Sequence, residues 1–219
     1  MPVAPGSATG AGSQTTEDRI LVAALDVISE CGVHGTTHRR IAAQASVHLG
    51  STTRYFSGLS DILERAFAIL GARRHDDYRR AFARAETPAM ARESVVSLIC
   101  GPLRAQPSEL RALAEMWSYS NFNEQVRAVR DESMRACRAV LEEHFTKSAA
   151  GALVALTESW TMHRLSDLEV EPGLVVTIVD ALAGRCDPPG HEPRALRATA
   201  GLNGAGPHHQ FDPGIDHDD

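Results

Sequence analysis

The sequence predicts an all-α protein, and three observations support this prediction. Apolar residues recur at intervals of three and four positions in almost every segment between residues 15 and 185, which is the period of a helix with one buried face. The sequence contains no convincing run of alternating β-branched residues, the pattern of a half-buried strand. Pro, Gly and Asn separate the apolar segments and suit the ends of helices. With 219 residues, 43% of them hydrophobic, the chain can form one large domain or a small domain joined to a larger one.

Nine helices are predicted along the chain. Acidic Glu17 and Asp18 favour the first turn of the first helix, and Gly32 can end it. Pro88 and Pro172 can open the fifth and ninth helices. The predicted ranges are approximately 16–31, 37–45, 48–56, 57–85, 88–103, 108–119, 122–147, 150–166 and 172–184.

The two ends of the chain are predicted to be disordered. Residues 1–14 have no charged side chain and are mostly Ala, Gly, Pro and Ser, so they bury too little apolar surface to offset the entropy of ordering. Residues 186–219 are rich in Pro and Gly and have little apolar periodicity. We therefore expect a small N-terminal domain at 15–65 and a larger helical domain at 66–185, between a disordered arm and a disordered tail.

The charge distribution singles out one segment. Lys and Arg total 22 and Asp and Glu total 28, a net charge of -6, which excludes a protein that coats nucleic acid through its overall charge. Between Cys31 and Ser60 there is no acidic residue. The same segment contains Arg39, Arg40, Arg54, His34, His38 and His48. A sequence-reading DNA binder can be locally positive while the whole protein is acidic.

Within this segment, residues 37–56 match a helix-turn-helix unit, in which the second helix enters the major groove and the first crosses the backbone. The small residues 50–53 would let the second helix approach base edges closely. Arg54 can form a bidentate pair with guanine or a phosphate. The alternative is a surface helical hairpin with solvated arginines.

Residues 19–63 resemble the N-terminal DNA-binding domain of the TetR (tetracycline-repressor-like) family. The positions that resemble it are Ile20, Leu21, Ala23, Ala24, Gly32, Gly35, Thr37, Ile41, Ala42, Ala45, Val47, Gly50, Tyr55, Phe56 and Leu63. The resemblance implies a dimeric, ligand-responsive transcriptional regulator with a variable helical C-terminal domain. It also implies that DNA is contacted by Thr37, His38, Arg39, Leu49, Gly50, Ser51, Thr53, Arg54 and Tyr55. His48 stands where a residue that caps the third helix or touches a phosphate is expected.

Three positions depart from the family pattern. Ser46 replaces the Gly usual in the turn, which costs up to ~1 kcal/mol if the backbone is left-handed there. Thr53 and Leu59 replace a phosphate-binding Tyr and a Lys that the family often has. We expect weaker nonspecific DNA binding and a shallower salt dependence than is typical of the family.

The last two predicted helices, at 150–166 and 172–184, are apolar over more than one face. A monomer would not need to bury so much apolar surface, so dimerisation is the simplest interpretation. In the resembling family these helices form a four-helix interface, and the dimer binds a palindromic operator. The alternative is that both helices belong to the core.

An effector pocket is predicted between the middle helices, where aromatic and polarisable side chains are concentrated. Its candidate residues are Met116, Trp117, Tyr119, Phe122, Trp160 and His163. Trp117, Tyr119 and His163 are the foremost candidates because their polar tips need partners. The alternative for each is an ordinary place in the core.

Other kinds of site are not supported. The four cysteines are far apart and include no C-x-x-C pair, so we expect free thiols, no disulfide, and a reducing, cytoplasmic location. No apolar run is long enough to span a membrane. His75 with two neighbouring aspartates is interpreted as a solvated face, and His163 with Ser159 or Glu158 lacks the other parts of a catalytic site. No metal, cofactor or enzymatic activity is therefore expected.

The predicted function is transcriptional regulation. The protein is expected to be a repressor that reads a palindromic operator as a homodimer and is released by a small molecule. One alternative keeps the DNA contact but acts as an effector-independent activator or architectural DNA binder. Another is a helical ligand-binding or protein-interaction module whose DNA binding has decayed.

Overall fold

The computed structural model describes residues 15–166 and 171–184, and within these ranges every regular element is a helix. The nine helices are α1 Thr16–Gly35, α2 His38–Gln44, α3 Leu49–Tyr55, α4 Leu59–Phe82, α5 Pro88–Ile99, α6 Pro107–Tyr119, α7 Glu124–Glu142, α8 Lys147–His163 and α9 Pro172–Gly184. The predicted all-α fold is confirmed. The predicted arm at 1–14 and tail at 186–219 lie outside the described residues.

Side-chain caps explain why several helices begin where they do. The Thr15 hydroxyl accepts a hydrogen bond from the backbone N–H of Asp18 at 3.1 Å, and the Asp18 carboxylate accepts one from the N–H of Thr15 at 3.2 Å. This reciprocal pair satisfies two backbone donors that a helix N-terminus otherwise leaves free. The helices α2, α5, α7 and α8 are capped by the side chains of Thr37, Thr87, Asn123 and Thr146.

Two helix boundaries differ from the prediction for identifiable reasons. The first helix does not end at Cys31: it is interrupted at Gly32, where φ is 70° and ψ is 173°, and then resumes to Gly35. The fourth helix begins at Leu59, with Gly58 at the N-cap position, and not at residue 57. The Asp61 carboxylate instead accepts a hydrogen bond from the backbone N–H of Ser57 at 2.9 Å and so closes the turn before α4.

The apolar side chains form two clusters, and α4 contributes to both. The first core combines α1, α2, the N-terminal half of α4 and α6. Its large members include Ile20, Leu21, Leu25, Ile28, Ile41, Phe56, Ile62, Leu63, Phe67, Leu70, Leu110, Leu113 and Met116. The second core combines the C-terminal half of α4 with α5, α7, α8 and α9. Its members include Tyr78, Phe82, Val95, Leu98, Ile99, Cys137, Val140, Leu141, Leu153, Val154, Val175 and Val179. A displacement of α4 would therefore change the packing of both cores.

None of the described helices combines the length and the apolar character that crossing a membrane requires.

Candidate DNA-binding surface and ligand cavity

The turn between α2 and α3 is held by Arg19 of α1. Its Nη2 donates hydrogen bonds to the backbone oxygens of Ala45 at 2.6 Å and Ser46 at 3.2 Å. Ser46 adopts φ 52°, the left-handed conformation that favours glycine. The contact from Arg19 fixes the helix-turn-helix unit on α1, and no local pattern in the sequence indicated it.

Helix α3 packs on the rest of the domain through Thr52 and the following Phe56, which are both buried. The Thr52 hydroxyl donates to the backbone oxygen of Leu49 at 2.8 Å, and Nδ1 of His38 lies 3.0 Å from the same hydroxyl. The guanidinium of Arg65 stacks over the Phe56 ring, with Cζ 4.8 Å from the ring centroid. These contacts fix the orientation of α3 against α2 and α4.

The other residues of α3 are available to a partner. Leu49, Gly50, Thr53, Arg54 and Tyr55 are exposed. A Cβ at Gly50 would meet no atom within 4 Å, and the Arg54 guanidinium lies 5.7 Å from the Tyr55 ring centroid. Among the residues predicted to contact DNA on α3, only Ser51 is partly buried.

The N-terminus of α2 adds further polar groups. Thr37 caps the helix and accepts a hydrogen bond from the backbone N–H of Arg40 at 3.3 Å. Arg39 is exposed, and His38 is half-buried. Arg40 turns back to the protein, since its Nη1 donates to the backbone oxygen of Gly35 at 2.9 Å. Arg40 is also exposed, so both arginines of α2 can be reached, and Arg40 keeps this contact with Gly35.

Two residues behave differently from the family pattern. His48 occupies the N-cap position of α3, but its side chain forms no capping hydrogen bond. Leu59 is partly buried, and its side chain packs against the first core. The exposed Thr53 hydroxyl donates to the backbone oxygen of Gly50 at 3.2 Å.

A cavity of about 710 Å³ lies between α7 and α8, and α6 contributes one residue to it. Trp117 and His163, two of the predicted effector contacts, line it. Much of the remaining wall comes from α7 and α8, including Met134, Arg138, Val154 and Glu158. These were not predicted, because apolar periodicity does not tell which face of a helix neighbouring helices leave uncovered.

The other four predicted effector residues do not line this cavity. Met116 is fully buried in the first core, because it lies on the face of α6 that packs on α1. Tyr119 packs against the same core, and Trp160 packs against the second core. Phe122 lies in the loop after α6 and is 89% exposed.

A buried polar network joins the cavity wall to α4. Glu158 of α8 is 4% exposed. Its Oε1 accepts hydrogen bonds from Arg74 Nε at 3.4 Å and from the Tyr78 hydroxyl at 3.3 Å. Arg74 Nη2 also donates to the Thr161 hydroxyl at 3.2 Å. The network links two residues of α4 to two residues of α8 inside an otherwise apolar core.

Burial and the Glu158 carboxylate shift the pKa values of the neighbouring groups. Burial raises the pKa of Tyr78 well above its ordinary value, and Glu158 adds to the increase. For Arg74, burial lowers the pKa, but the attraction of Glu158 helps to make the net shift upward. Burial and then Glu158 raise the pKa of Cys137 to about 12. At neutral pH, Arg74 is therefore charged, and Tyr78 and Cys137 are protonated.

Comparisons with known proteins agree with this arrangement. Residues 20–66 match the family model of bacterial regulatory proteins of the tetR family. A crystal structure of a transcriptional regulator from Streptomyces coelicolor A3(2) is 31% identical, with a TM-score of 0.71, and the match covers 77% of this chain and 98% of that one. The chain belongs to the TetR family. This TetR-family protein is a DNA-binding transcriptional regulator and not an enzyme, as the sequence predicted.

More distant structures share the fold of this TetR-family protein. The multidrug binding protein EbrR, in complex with ethidium, is 24% identical with a TM-score of 0.66, over 76% of this chain and 97% of EbrR. A transcriptional regulator from Rhodococcus sp. Rha1 is 19% identical with a TM-score of 0.64, over 78% of this chain and 95% of that one. No curated protein matches the sequence.

In this TetR-family protein, α6 connects the cavity to α1. The backbone N–H of Val33, just after the interruption at Gly32, donates to the Glu115 carboxylate at 2.7 Å. The Ser29 hydroxyl donates to the backbone oxygen of Ser108 at 2.8 Å. Glu115 lies two residues before Trp117. One helix thus contacts both the cavity and the helix that holds the helix-turn-helix unit.

Proposed function

We propose that this protein is a homodimeric repressor that binds a palindromic operator through α2 and α3 and leaves it when a small molecule enters the cavity beside Glu158. In this proposal residues 15–65 form the DNA-binding domain, and residues 66–185 form the effector-binding and dimerisation domain. Because its partner is chromosomal DNA, the proposed place of action is the cytoplasm. The observation that supports the proposal best is the exposed, acid-free surface of α2 and α3 on a fixed scaffold.

Several exposed groups on this surface suit contacts with DNA. The guanidinium groups of Arg39 and Arg54 suit guanine edges or phosphates. Gly50, which has open space around its Cα, allows the backbone of α3 to approach the groove. Tyr55 offers a hydroxyl to the phosphate backbone, and Leu49 offers an apolar contact for a thymine methyl group.

The proposed dimer uses α8 and α9. Leu165 after the end of α8 is 44% exposed, and Leu174 and Val176 on α9 are 50% and 45% exposed. Large apolar side chains this exposed on α9 and just after α8 favour burial against a second copy. A symmetric dimer would place two copies of α3 on the two halves of a palindrome.

The proposed release mechanism acts through α4 and α6. Arg74 of α4 and Glu158 at the cavity share a hydrogen bond, so a ligand that changes the surroundings of Glu158 also changes the packing of α4. Glu115 of α6 holds α1 at Val33. A ligand that prefers a conformation with displaced α4 and α6 would lower the affinity for DNA by its difference in affinity for the two states.

Fluorescence anisotropy tests the DNA contact directly. The full chain is titrated onto labelled duplexes from upstream of its own and adjacent genes, with an unrelated duplex of equal length as competitor. Arg54→Ala and Arg39→Ala should each weaken specific binding by about 5- to 150-fold, the equivalent of ~1–3 kcal/mol per lost base contact. Arg84→Ala, at an exposed arginine outside the proposed surface, should bind like the unmodified protein.

The same experiment separates the alternatives. If Arg54→Ala and Arg39→Ala both bind specific DNA as tightly as the unmodified protein, the assignment of α2 and α3 is wrong. Binding no tighter to any candidate upstream duplex than to the competitor would contradict the repressor proposal and favour an interaction module with decayed DNA binding. Specific binding that no small molecule weakens would instead favour an effector-independent activator or architectural protein.

A further inference from the structure

The cavity between α7 and α8 has mainly apolar walls, but two polar atoms in its lining residues have no partner. Trp117, Met134, Val154, Ala155 and Met162 supply apolar surface. Among the residues that the structure describes, Glu158 Oε2 and Trp117 Nε1 are buried and form no hydrogen bond. Buried polar atoms in proteins almost always have a partner, so an unsatisfied pair at one cavity is informative.

These two atoms require opposite partners. A carboxylate oxygen only accepts hydrogen bonds, and an indole N–H only donates them. The other oxygen of Glu158 is already engaged by Arg74 and Tyr78, so the fold has fixed the carboxylate and left one acceptor free. A ligand that satisfies both atoms must therefore present a donor to Glu158 and an acceptor to Trp117.

The charges around the cavity restrict the ligand further. Arg74 is the counter-ion of Glu158 within the core. At the wall, Arg138 Nε lies 2.7 Å from Glu142, and Arg135 is paired with Glu132. Each charged side chain already has a partner of opposite sign. A cation would find no unpaired carboxylate, and an anion beside Glu158 would be repelled in a poorly solvated place.

We propose that the cavity binds a neutral, largely apolar molecule that carries a hydrogen-bond donor for Glu158 and an acceptor for Trp117. This inference rests on the proposed effector role of the cavity and names the class of ligand. It also gives Glu158 two functions, because the same carboxylate holds α4 through Arg74 and Tyr78. A donor arriving at Oε2 therefore acts on the group that joins α8 to α4.

Three probes of similar size test the required chemistry. The compound 4-nitroaniline is neutral and carries N–H donors, N,N-dimethyl-4-nitroaniline lacks the donors, and 4-nitrobenzoate is an anion. The chain has two tryptophans, so Trp160→Phe in the full-length protein leaves Trp117 as the fluorescent reporter. The absorption of these nitroanilines overlaps indole emission, so binding quenches the fluorescence of Trp117, and calorimetry provides the affinity of the benzoate.

The expected order of affinity is 4-nitroaniline first, with the dimethyl analogue and the benzoate each at least tenfold weaker. The two added methyl groups make the dimethyl analogue more apolar, so burial alone would favour it over 4-nitroaniline. Equal or tighter binding of the dimethyl analogue, tightest binding of the benzoate, or binding by none of the three would overturn the proposal. All three probes are compared on the same Trp160→Phe protein, so a difference in affinity between probes does not arise from a difference between variants.

A double variant tests whether Glu158 causes the preference for 4-nitroaniline. Combining Arg74→Met with Glu158→Met removes both charges and keeps similar volumes, and it should abolish the preference for 4-nitroaniline over its dimethyl analogue. Glu143→Met, at an exposed carboxylate that does not line this cavity, should keep that preference. A preference that survives in the double variant would show that Glu158 is not the acceptor.

The test is separate from that of DNA release. Probe binding is measured without DNA, and operator binding is measured in parallel by anisotropy. The expected order of probe affinities without any effect on DNA binding would support the ligand class and contradict the proposed release. Intact operator binding with the wrong order of probes would leave the regulator in place and overturn the ligand class.

Discussion

Replacing Gly32 by alanine should destabilise this protein by about 2–4 kcal/mol, and the structure allows the two causes to be separated. With φ 70° and ψ 173°, Gly32 lies in a backbone region that is essentially restricted to glycine, which costs other residues about 1–3 kcal/mol. A Cβ there would also lie 3.1 Å from Oε1 and 3.2 Å from Oε2 of Glu115. Moving that carboxylate weakens its 2.7 Å hydrogen bond from Val33, and hydrogen bonds to charged groups are worth about 1.5–3 kcal/mol.

Urea denaturation followed by circular dichroism measures the loss. Gly58→Ala is the matched control, because Gly58 is in an extended conformation and a Cβ would meet nothing within 4 Å. It should change the free energy of unfolding by less than about 0.5 kcal/mol. A loss below about 1 kcal/mol for Gly32→Ala would refute the argument from backbone conformation.

A double-mutant cycle with Glu115→Ala separates the backbone strain from the crowding. In the Glu115→Ala background the carboxylate is absent, so Gly32→Ala should cost only the backbone component of about 1–3 kcal/mol. The cost should therefore be smaller than in the unmodified protein. An equal cost in both backgrounds would mean that Glu115 is not displaced by the new Cβ.

Three further results are expected. Ser46→Gly should raise the free energy of unfolding by up to ~1 kcal/mol, since Ser46 has φ 52°; a lower urea midpoint would contradict this. Arg74→Met should lower the free energy of unfolding by about 3–5 kcal/mol, because it leaves the buried Glu158 carboxylate unpaired. Adding Glu158→Met should restore most of that stability. If it does not, the unpaired charge is not the cause of the loss. Iodoacetamide should modify the exposed Cys31 but not Cys137, as measured by site-resolved mass spectrometry. Burial and Glu158 raise the pKa of Cys137 to about 12, so this residue has almost no thiolate at neutral pH. Rapid labelling of Cys137 in the folded protein would contradict its burial.

The sequence predicted the helix-turn-helix region in detail because the signals there are local. The approximate helix ranges and the break near Gly32 follow from short-range patterns. The resumption of α1 after Gly32 could not be predicted, since it depends on Glu115, which is 82 residues beyond Val33. For a similar reason, only two of the six predicted effector residues line the cavity. Met116 and Trp117 are neighbours in α6, yet one lies in the core and the other at the cavity, and only the packing of distant helices decides between them.

The hydrogen bond between His38 and Thr52 couples the tautomer of the imidazole ring to the direction of the Thr52 hydroxyl. The Thr52 hydroxyl has one hydrogen and donates it to Leu49, so it accepts a hydrogen bond from Nδ1 of His38. In the neutral ring, Nε2 is then the acceptor. A phosphate oxygen has no hydrogen to offer it, whereas the amino groups of adenine and cytosine do. With both hydrogen bonds of Thr52 in place, neutral His38 is thus suited to a base edge and not to the phosphate backbone.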